Sequence, residues 1–503
     1  MKRIIHYMLP SFTLLGLLGC SEPSVDVTIQ LASSSQENLE PFSALSKIRV
    51  SIDGPERFDD AIIDLQSSDR KATFTQYPRD RTVQVEVRGF DAQGILRAYG
   101  RYNDLSLGSE NLTVEVPFRK MLAYVIHSSI CDGSCPEGEA CVNTGSGFTC
   151  TEESDQCGAC DENSSCVFDL RVPRCIENYQ GSNLGPGQIY VLDATSRKLI
   201  EKVALPMPGA IARSVRADQG DNILVTFEAG TKSYVGILSQ SDHSWRTVEF
   251  NRSIEIAFIG SGGLGVAAGS GSIMFFEVET GKVLAQTEQA VAGRILDGAV
   301  GDSGRKAIII MSRSPGALLV DFGRQEIFPP GEIGGASGVG MSEDGRVAYI
   351  TSDSTKNIRA LDMRTSGLTA LPGEFGGFPG ISVYSEAVSG LLSIYADEEV
   401  NISRLIGYSV SGRRAFEPGT DVNLLPHPRG IASVPGGRRV IVVSAGTSTE
   451  SAGLTIIDPD LETGLDASTV SYPKDPDDTY VNLLGEYESQ RYRPEGVAVS
   501  YGR

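Results

Sequence analysis

The sequence predicts an all-β protein whose C-terminal part is a seven-bladed β-propeller, preceded by a small immunoglobulin-like β-sandwich and a disulfide-rich linker. Three observations predict it. Apolar and polar residues alternate with period two from Val25 to about Ile126. Eight cysteines crowd between Cys131 and Cys175. A phrase built on a small residue or Pro followed by Gly then returns at intervals of about 40 residues from Gly209 to the C-terminus, the spacing of propeller blades.

Composition narrows the function before any motif is considered. The chain has 503 residues, long enough for several domains, and carries 44 Lys and Arg against 64 Asp and Glu, a formal net charge of -20. A surface of that sign repels phosphate backbones, so nucleic acid is not an expected partner. The acids are dispersed and read as a solvated surface.

The first element, residues 1–19, is an address. Lys2 and Arg3 precede a mostly apolar run from Ile4 to Leu18 that ends in Leu17-Leu18-Gly19-Cys20. This run resembles the bacterial lipoprotein signal, and the resemblance implies cleavage before Cys20 and acylation of Cys20. Two or more acyl chains anchor a protein stably where one does not. Ser21, in place of Asp, favours the outer membrane in lipoproteins of this kind, with residues 20–24 as lipidated anchor and linker.

Residues 25–126 come next. Val25 to Ile29, Lys47 to Ile52, Thr82 to Val87 and Asn111 to Val116 alternate as strands with one buried face do. With Asp60 to Leu65, Lys71 to Gln76 and Ile95 to Tyr99 they make about seven strands in about 100 residues, the count of a small sandwich. No reactive constellation occurs there, and the unit reads as a membrane-proximal spacer.

The linker, residues 127–180, holds two similar units: Cys131-x3-Cys135-x5-Cys141-x8-Cys150 and Cys157-x2-Cys160-x5-Cys166-x8-Cys175. Only the second unit contains C-x2-C, the one nearby histidine, His127, lies outside both, and a secretory leader directs the chain to an oxidising compartment. Four disulfides are therefore expected rather than a metal site. Eight cysteines allow 105 pairings; first to third and second to fourth within each unit is the working expectation. Cys135-Pro136-Glu137-Gly138 and Thr144-Gly145-Ser146-Gly147-Phe148 resemble EGF-like modules, without their closely spaced fourth and fifth cysteines. With little core of its own, the segment reads as a stalk stiffened by its bridges.

From residue 187 to 503 the repeat takes over. Ser337-Gly338-Val339-Gly340-Met341, Pro428-Arg429-Gly430-Ile431-Ala432 and Pro494-Glu495-Gly496-Val497-Ala498 are its clearest copies, with looser ones near Gly209, Ser253, Arg294 and Pro379. Each leads into an apolar strand such as Val440-Ile441-Val442-Val443. Six copies are complete; the seventh is split between Gly187 to Asp193 and the C-terminus, so the last strand is expected to pair with the first and remove two exposed sheet edges. Phrases such as Glu343-Asp344-Gly345-Arg346-Val347-Ala348-Tyr349-Ile350 resemble the YVTN-type repeat of bacterial surface and periplasmic seven-bladed propellers, a family that includes the lactonase-like propellers. That resemblance specifies fold far better than function.

Residues just before the inner strands are expected at the mouth of the central channel: Arg213, Asp297, Ser337, Arg429 and Glu495, with His427 on the loop leading in. His427-Pro428-Arg429 resembles the lactonase-like enzymes, whose sites use His, Arg and acids. His427 has no orienting partner legible in sequence. The acidic loop Lys474-Asp475-Pro476-Asp477-Asp478 lacks the order of a calcium loop, and no GxSxG, P-loop, HExxH or dinucleotide fingerprint occurs. No metal, cofactor or catalytic residue is therefore expected. The expected function is a non-enzymatic, membrane-anchored envelope lipoprotein whose propeller binds a protein or glycan. The alternatives are a propeller hydrolase or lactonase, or an envelope-assembly scaffold.

Overall fold

The computed structural model describes residues 23–33, 40–53, 61–63 and 70–129, short stretches of the cysteine segment between 139 and 177, most of 188–465, and 492–500. The expectations for the leader and Cys20, for Cys131 and Cys135, for His427 and for the loop 474–478 lie outside the described residues. What is described is all-β, and no helix among the described residues is long and apolar enough to cross a membrane.

The N-terminal unit is two sheets over one core. Ser24–Ala32 lies between Lys71–Pro78, antiparallel to it, and Leu112–Pro117, parallel to it. The other sheet runs, in spatial order, Ala61–Ile63, Lys47–Asp53, Arg81–Phe90, Leu96–Leu107 and Arg119–Lys120. Alternation explains the join: Val25, Val27, Ile29 and Leu31 project from the first sheet onto Ile48, Val50, Ile52, Val83, Val85 and Val87 of the second. A strand occupies each stretch where the period-two pattern calls for one.

From residue 211 to 457 the chain forms six consecutive antiparallel sheets. Each begins on an inner strand: Ile211–Ala217, Ile256–Ile259, Ile295–Gly301, Ala336–Met341, Ser382–Ser385 and Pro428–Ser433. Each inner strand packs against the next, and the C-terminal strand Tyr492–Ser500 packs between the last and the first, so the contacts make a closed circuit. The approach is close. A Cβ at Gly338 would meet the Gly380 carbonyl at 2.2 Å, one at Gly430 would meet Gly496 Cα at 3.1 Å, and one at Gly496 would meet Val215 at 3.4 Å.

The sheet that closes the circuit corrects the expected pairing of last strand with first. Its order is Leu199–Ala204, Gln188–Asp193, Leu122–Ser129, Tyr492–Ser500, so a strand from before the cysteine segment stands between the two expected partners. The expected boundary at residue 126 falls inside this linking strand. Its sequence accounts for the position. Leu122, Ala123, Tyr124, Val125 and Ile126 are all buried, with Ala123 and Val125 in one core and Leu122, Tyr124 and Ile126 in the neighbouring one. A strand covered on both faces reads as a continuous apolar run, not as an alternation.

Two consequences follow for the arrangement of the parts. The N-terminal unit reaches the linking strand through Met121 alone and rests on the face of the circuit where inner strands end. Tyr99 is buried in the closing core, Thr195 Oγ1 donates to Leu96 O at 3.1 Å, and Asp104 accepts from Ser303 Oγ and, at 3.4 Å, from Arg346 Nη2. Thr195 belongs to the closing sheet, whereas Ser303 and Arg346 belong to the two sheets farthest from it around the circuit. The unit therefore lies across the axis.

The cysteine segment leaves at His127 and returns at Gln188, which are paired residues of adjacent strands. It is an excursion from one hairpin connection and not a stalk in series between two parts. Within it, the hairpins Glu139–Asn143 with Phe148–Glu152 and Ser164–Asp169 with Val172–Glu177 repeat one register, setting Cys141 opposite Cys150 and Cys166 opposite Cys175. In the second unit Cys157 is bridged to Cys166 and Cys160 to Cys175, first to third and second to fourth. The sulfurs of Cys157, Cys160 and Cys175 converge, but as members of these two bridges they are not free thiolates to hold a metal.

Cleavage at a protease site introduced into 178–187 tests this topology. The two fragments are expected to co-elute without denaturant, because the cut connection joins strands that remain paired to each other; a spacer in series would instead release the N-terminal unit.

Candidate functional site

Four of the six inner strands share a device at their starts. In the pairing with the second strand of their sheets the register slips by one residue between Ala212 and Ser214, Ile295 and Asp297, Ala336 and Gly338, and Pro428 and Gly430, whereas Ile256–Ile259 and Ser382–Ser385 pair without a slip. The C-terminal strand slips in the same way between Pro494 and Gly496 against the linking strand. The extra residue of each bulge is Arg213, Leu296, Ser337, Arg429 and Glu495. A bulge re-aims a side chain and ends regular pairing, which is how repeated sheets can present side chains around one mouth.

Four of the expected mouth residues thus occupy equivalent bulges. Arg213 is half exposed and donates from Nη2 to Glu228 Oε2 at 2.6 Å, while Glu228 Oε1 accepts from Ser253 Oγ at 3.1 Å. Ser337 Oγ lies 3.1 Å from Thr351 Oγ1. Arg429 is exposed. Glu495 holds the bulge of the C-terminal strand.

Asp297 is the exception and corrects the expected set. The bulge in its strand falls one residue earlier, on Leu296, and Asp297 takes the place that glycine has at Gly338, Gly430 and Gly496. That place faces the next inner strand, so its carboxylate is buried at 2% exposure instead of opening to the mouth. Arg216 Nη2 donates to Oδ1 at 2.7 Å, Gly298 N to Oδ1 at 2.8 Å and Val339 N to Oδ2 at 3.0 Å. Arg216 comes from an inner strand two sheets back and Val339 from the next one on, so one carboxylate ties three sheets together. Burial pushes the Asp297 carboxyl above the ordinary carboxylate range, against the opposite pull of Arg216 and the two amides. Glu255 makes a similar link, its Oε2 accepting from Ile295 N at 2.9 Å.

Chemically, then, the face where the inner strands start exposes guanidinium, hydroxyl and aliphatic groups, and its described carboxylates Glu228, Glu249, Glu255 and Glu332 are engaged by Arg213, Lys232, Ile295 N and Ser314. Sequence reasoning missed Leu296, which is 38% exposed. The signal was present: Ile295-Leu296 before Asp297-Gly298 differs from the other copies only in where glycine stands.

No protein-family model matches the chain, and no curated protein matches it. Among solved structures the chain is similar to one in the crystal structure of a mitotic checkpoint complex, at 13% identity and a TM-score of 0.40, over 51% of this chain and 78% of that one.

Asp297→Ala should cost about 3 kcal/mol, the lower end for a broken buried pair, because Arg216 keeps 29% exposure and can regain water. Asp297→Asn tests the electrostatics. The folded-state pKa lies above the unfolded one, so the stability contributed by the protonated carboxyl is present below the unfolded value of 3.8 and is lost as pH rises through the folded value. Denaturant titrations at several pH values above 4 should show wild type losing stability relative to Asp297→Asn as pH rises. An unchanged difference would contradict the burial argument.

Proposed function

We propose that this chain is a membrane-anchored, non-enzymatic lipoprotein of the bacterial cell envelope that uses one face of a β ring to bind a protein or glycan partner. In this reading the ring is a seven-bladed β-propeller of the YVTN type and the N-terminal unit is an immunoglobulin-like sandwich. Acyl chains on Cys20 hold the protein at the outer membrane. No metal or cofactor takes part.

The observation that carries the reading is the asymmetry of the two faces. The N-terminal unit lies across the face where inner strands end, through Tyr99, Leu96 and Asp104. The face where they start carries repeated bulge side chains, among them exposed Arg429, and the cysteine segment leaves and returns on that face at the closing sheet. The acid that a hydrolase could have used at that mouth, Asp297, is instead consumed in holding sheets together. Repetition of one aimed side chain in five of the sheets suits recognition of an extended surface more than a single reacting centre.

The test is photo-cross-linking in cells with a benzophenone residue at Arg429, and as control at Arg324 on the opposite face, combined with Cys20→Ala. Discrete adducts are expected from position 429 and not from 324, and Cys20→Ala is expected to leave the membrane fraction. Lactone turnover by the full-length protein, or equal adducts from both positions, would overturn the binding reading. Retention of Cys20→Ala at the membrane would overturn the anchor.

A further inference from the structure

The four cysteines of the second unit have two ways to pair. Cys157 is bonded to Cys166 and Cys160 to Cys175, yet the sulfurs of Cys157, Cys160 and Cys175 lie within 4.8 Å of one another, across the two bridges. Cys166 and Cys175 also stand directly opposite each other in the antiparallel pairing of Ser164–Asp169 with Val172–Glu177. Opposed residues of such a pair have Cα atoms about 4.5 to 5.5 Å apart, inside the range that a disulfide spans. Cys157 and Cys160 have the C-x2-C spacing of reversible dithiol motifs. A second complete pairing is therefore within reach, Cys157 with Cys160 and Cys166 with Cys175.

Two features favour exchange between the pairings. Cys175 is exposed whereas Cys157, Cys160 and Cys166 are half-buried, so a thiolate from solution reaches the Cys160–Cys175 bridge at Cys175. The Cys157 amide donates to Cys166 Sγ at 3.1 Å. A hydrogen bond to sulfur favours its anionic form, and a thiol of lower pKa is the better leaving group. Cys166 is thus the sulfur prepared to leave when Cys157 is attacked.

We propose that this unit is a thiol–disulfide exchange site that passes from one pairing to the other when a thiolate attacks Cys175. That attack forms a mixed disulfide at Cys175 and expels Cys160 Sγ as a thiolate. Cys160 Sγ, within 4.8 Å of Cys157 Sγ, attacks it, forming the Cys157–Cys160 bond and expelling Cys166 Sγ, whose charge the Cys157 amide stabilises. Cys166 Sγ then attacks Cys175 Sγ across the hairpin, forming the Cys166–Cys175 bond and returning the thiolate to solution. Two disulfides become two disulfides, the thiolate is regenerated, and there is no net oxidation or reduction. Both present bridges tie the segment from Cys157 to Cys160 to the strands of the second hairpin, and neither new one does. Exchange therefore frees that hairpin from the connection leading out of the first.

The probe is glutathione, added in mixtures of its reduced and oxidised forms to the full-length protein in detergent. After alkylation and digestion with trypsin and Glu-C, disulfide-linked peptides are identified by mass spectrometry; Glu162, Arg171 and Arg174 place cleavage sites between Cys160, Cys166 and Cys175. Cys157–Cys160 and Cys166–Cys175 are expected to appear together at the expense of the original bridges, with the first glutathione adduct on Cys175. Without glutathione only the original bridges are expected. Cys157→Ser with Cys160→Ser should close Cys166–Cys175 under oxidised glutathione, and Cys166→Ser with Cys175→Ser should close Cys157–Cys160. Persistence of the original bridges alone at every glutathione ratio would overturn the inference. So would Cys157–Cys175 with Cys160–Cys166 in equal amount, which is scrambling and not a switch, or two free thiols in either double variant.

Discussion

Everything else in this molecule depends on the pairing of Leu122–Ser129 with two strands at once. Its backbone groups are shared between Gln188–Asp193 on one edge and Tyr492–Ser500 on the other. Without it Gln188–Asp193 and Tyr492–Ser500 would each present an unpaired edge. The pairing with the C-terminal strand joins residues more than 360 positions apart in the chain, so its hydrogen bonds must offset a loop-closure entropy that grows only logarithmically with length. What favours it is burial on both faces: Tyr124 and Ile126 fill the core shared with Val225 and Phe227, and Val125 fills the core shared with Val443 and Ile456. Tyr124 also sets its hydroxyl 3.3 Å from His243 Nε2, tying the closing sheet to the turn of the first inner sheet.

The same strand decides which surface is available for function. It enters from the N-terminal unit at Leu122 and exits toward the cysteine segment at Ser129, so the two flanking parts emerge at opposite ends of one strand and on opposite faces of the circuit. A spacer and head in series are replaced by an N-terminal unit that lies directly on the circuit, with the cysteine segment inserted between two paired strands. Asp297 works within this frame as a tie across three inner strands, and its own burial raises its pKa.

Much of this was legible in sequence, for identifiable reasons. Alternation in Val25 to Ile29 or Lys47 to Ile52 is a local property, and local properties are what a sequence displays. The phrase shared by Ser337-Gly338, Arg429-Gly430 and Glu495-Gly496 located the bulges because glycine is required where inner strands nearly touch. The reading slipped at Asp297-Gly298, which copies the phrase while sitting one residue out of register. A small polar residue able to hydrogen-bond across the gap can replace the glycine, and the phrase cannot display that. The linking strand was misassigned because Leu122 to Ile126 identifies a strand buried on both faces without identifying its neighbours. Partners more than 60 residues away on one edge and 370 or more on the other are a tertiary fact.

The most direct measurement of the central claim is amide hydrogen exchange under native conditions, resolved at Tyr124, Val125 and Ile126. Shared pairing predicts that these amides exchange as slowly as those of Val497 to Val499 and Val191, and through the same opening event. Exchange of Tyr124 to Ile126 at the rate of Val27 and Val114 in the N-terminal unit, faster than the C-terminal strand, would contradict a circuit closed by this strand.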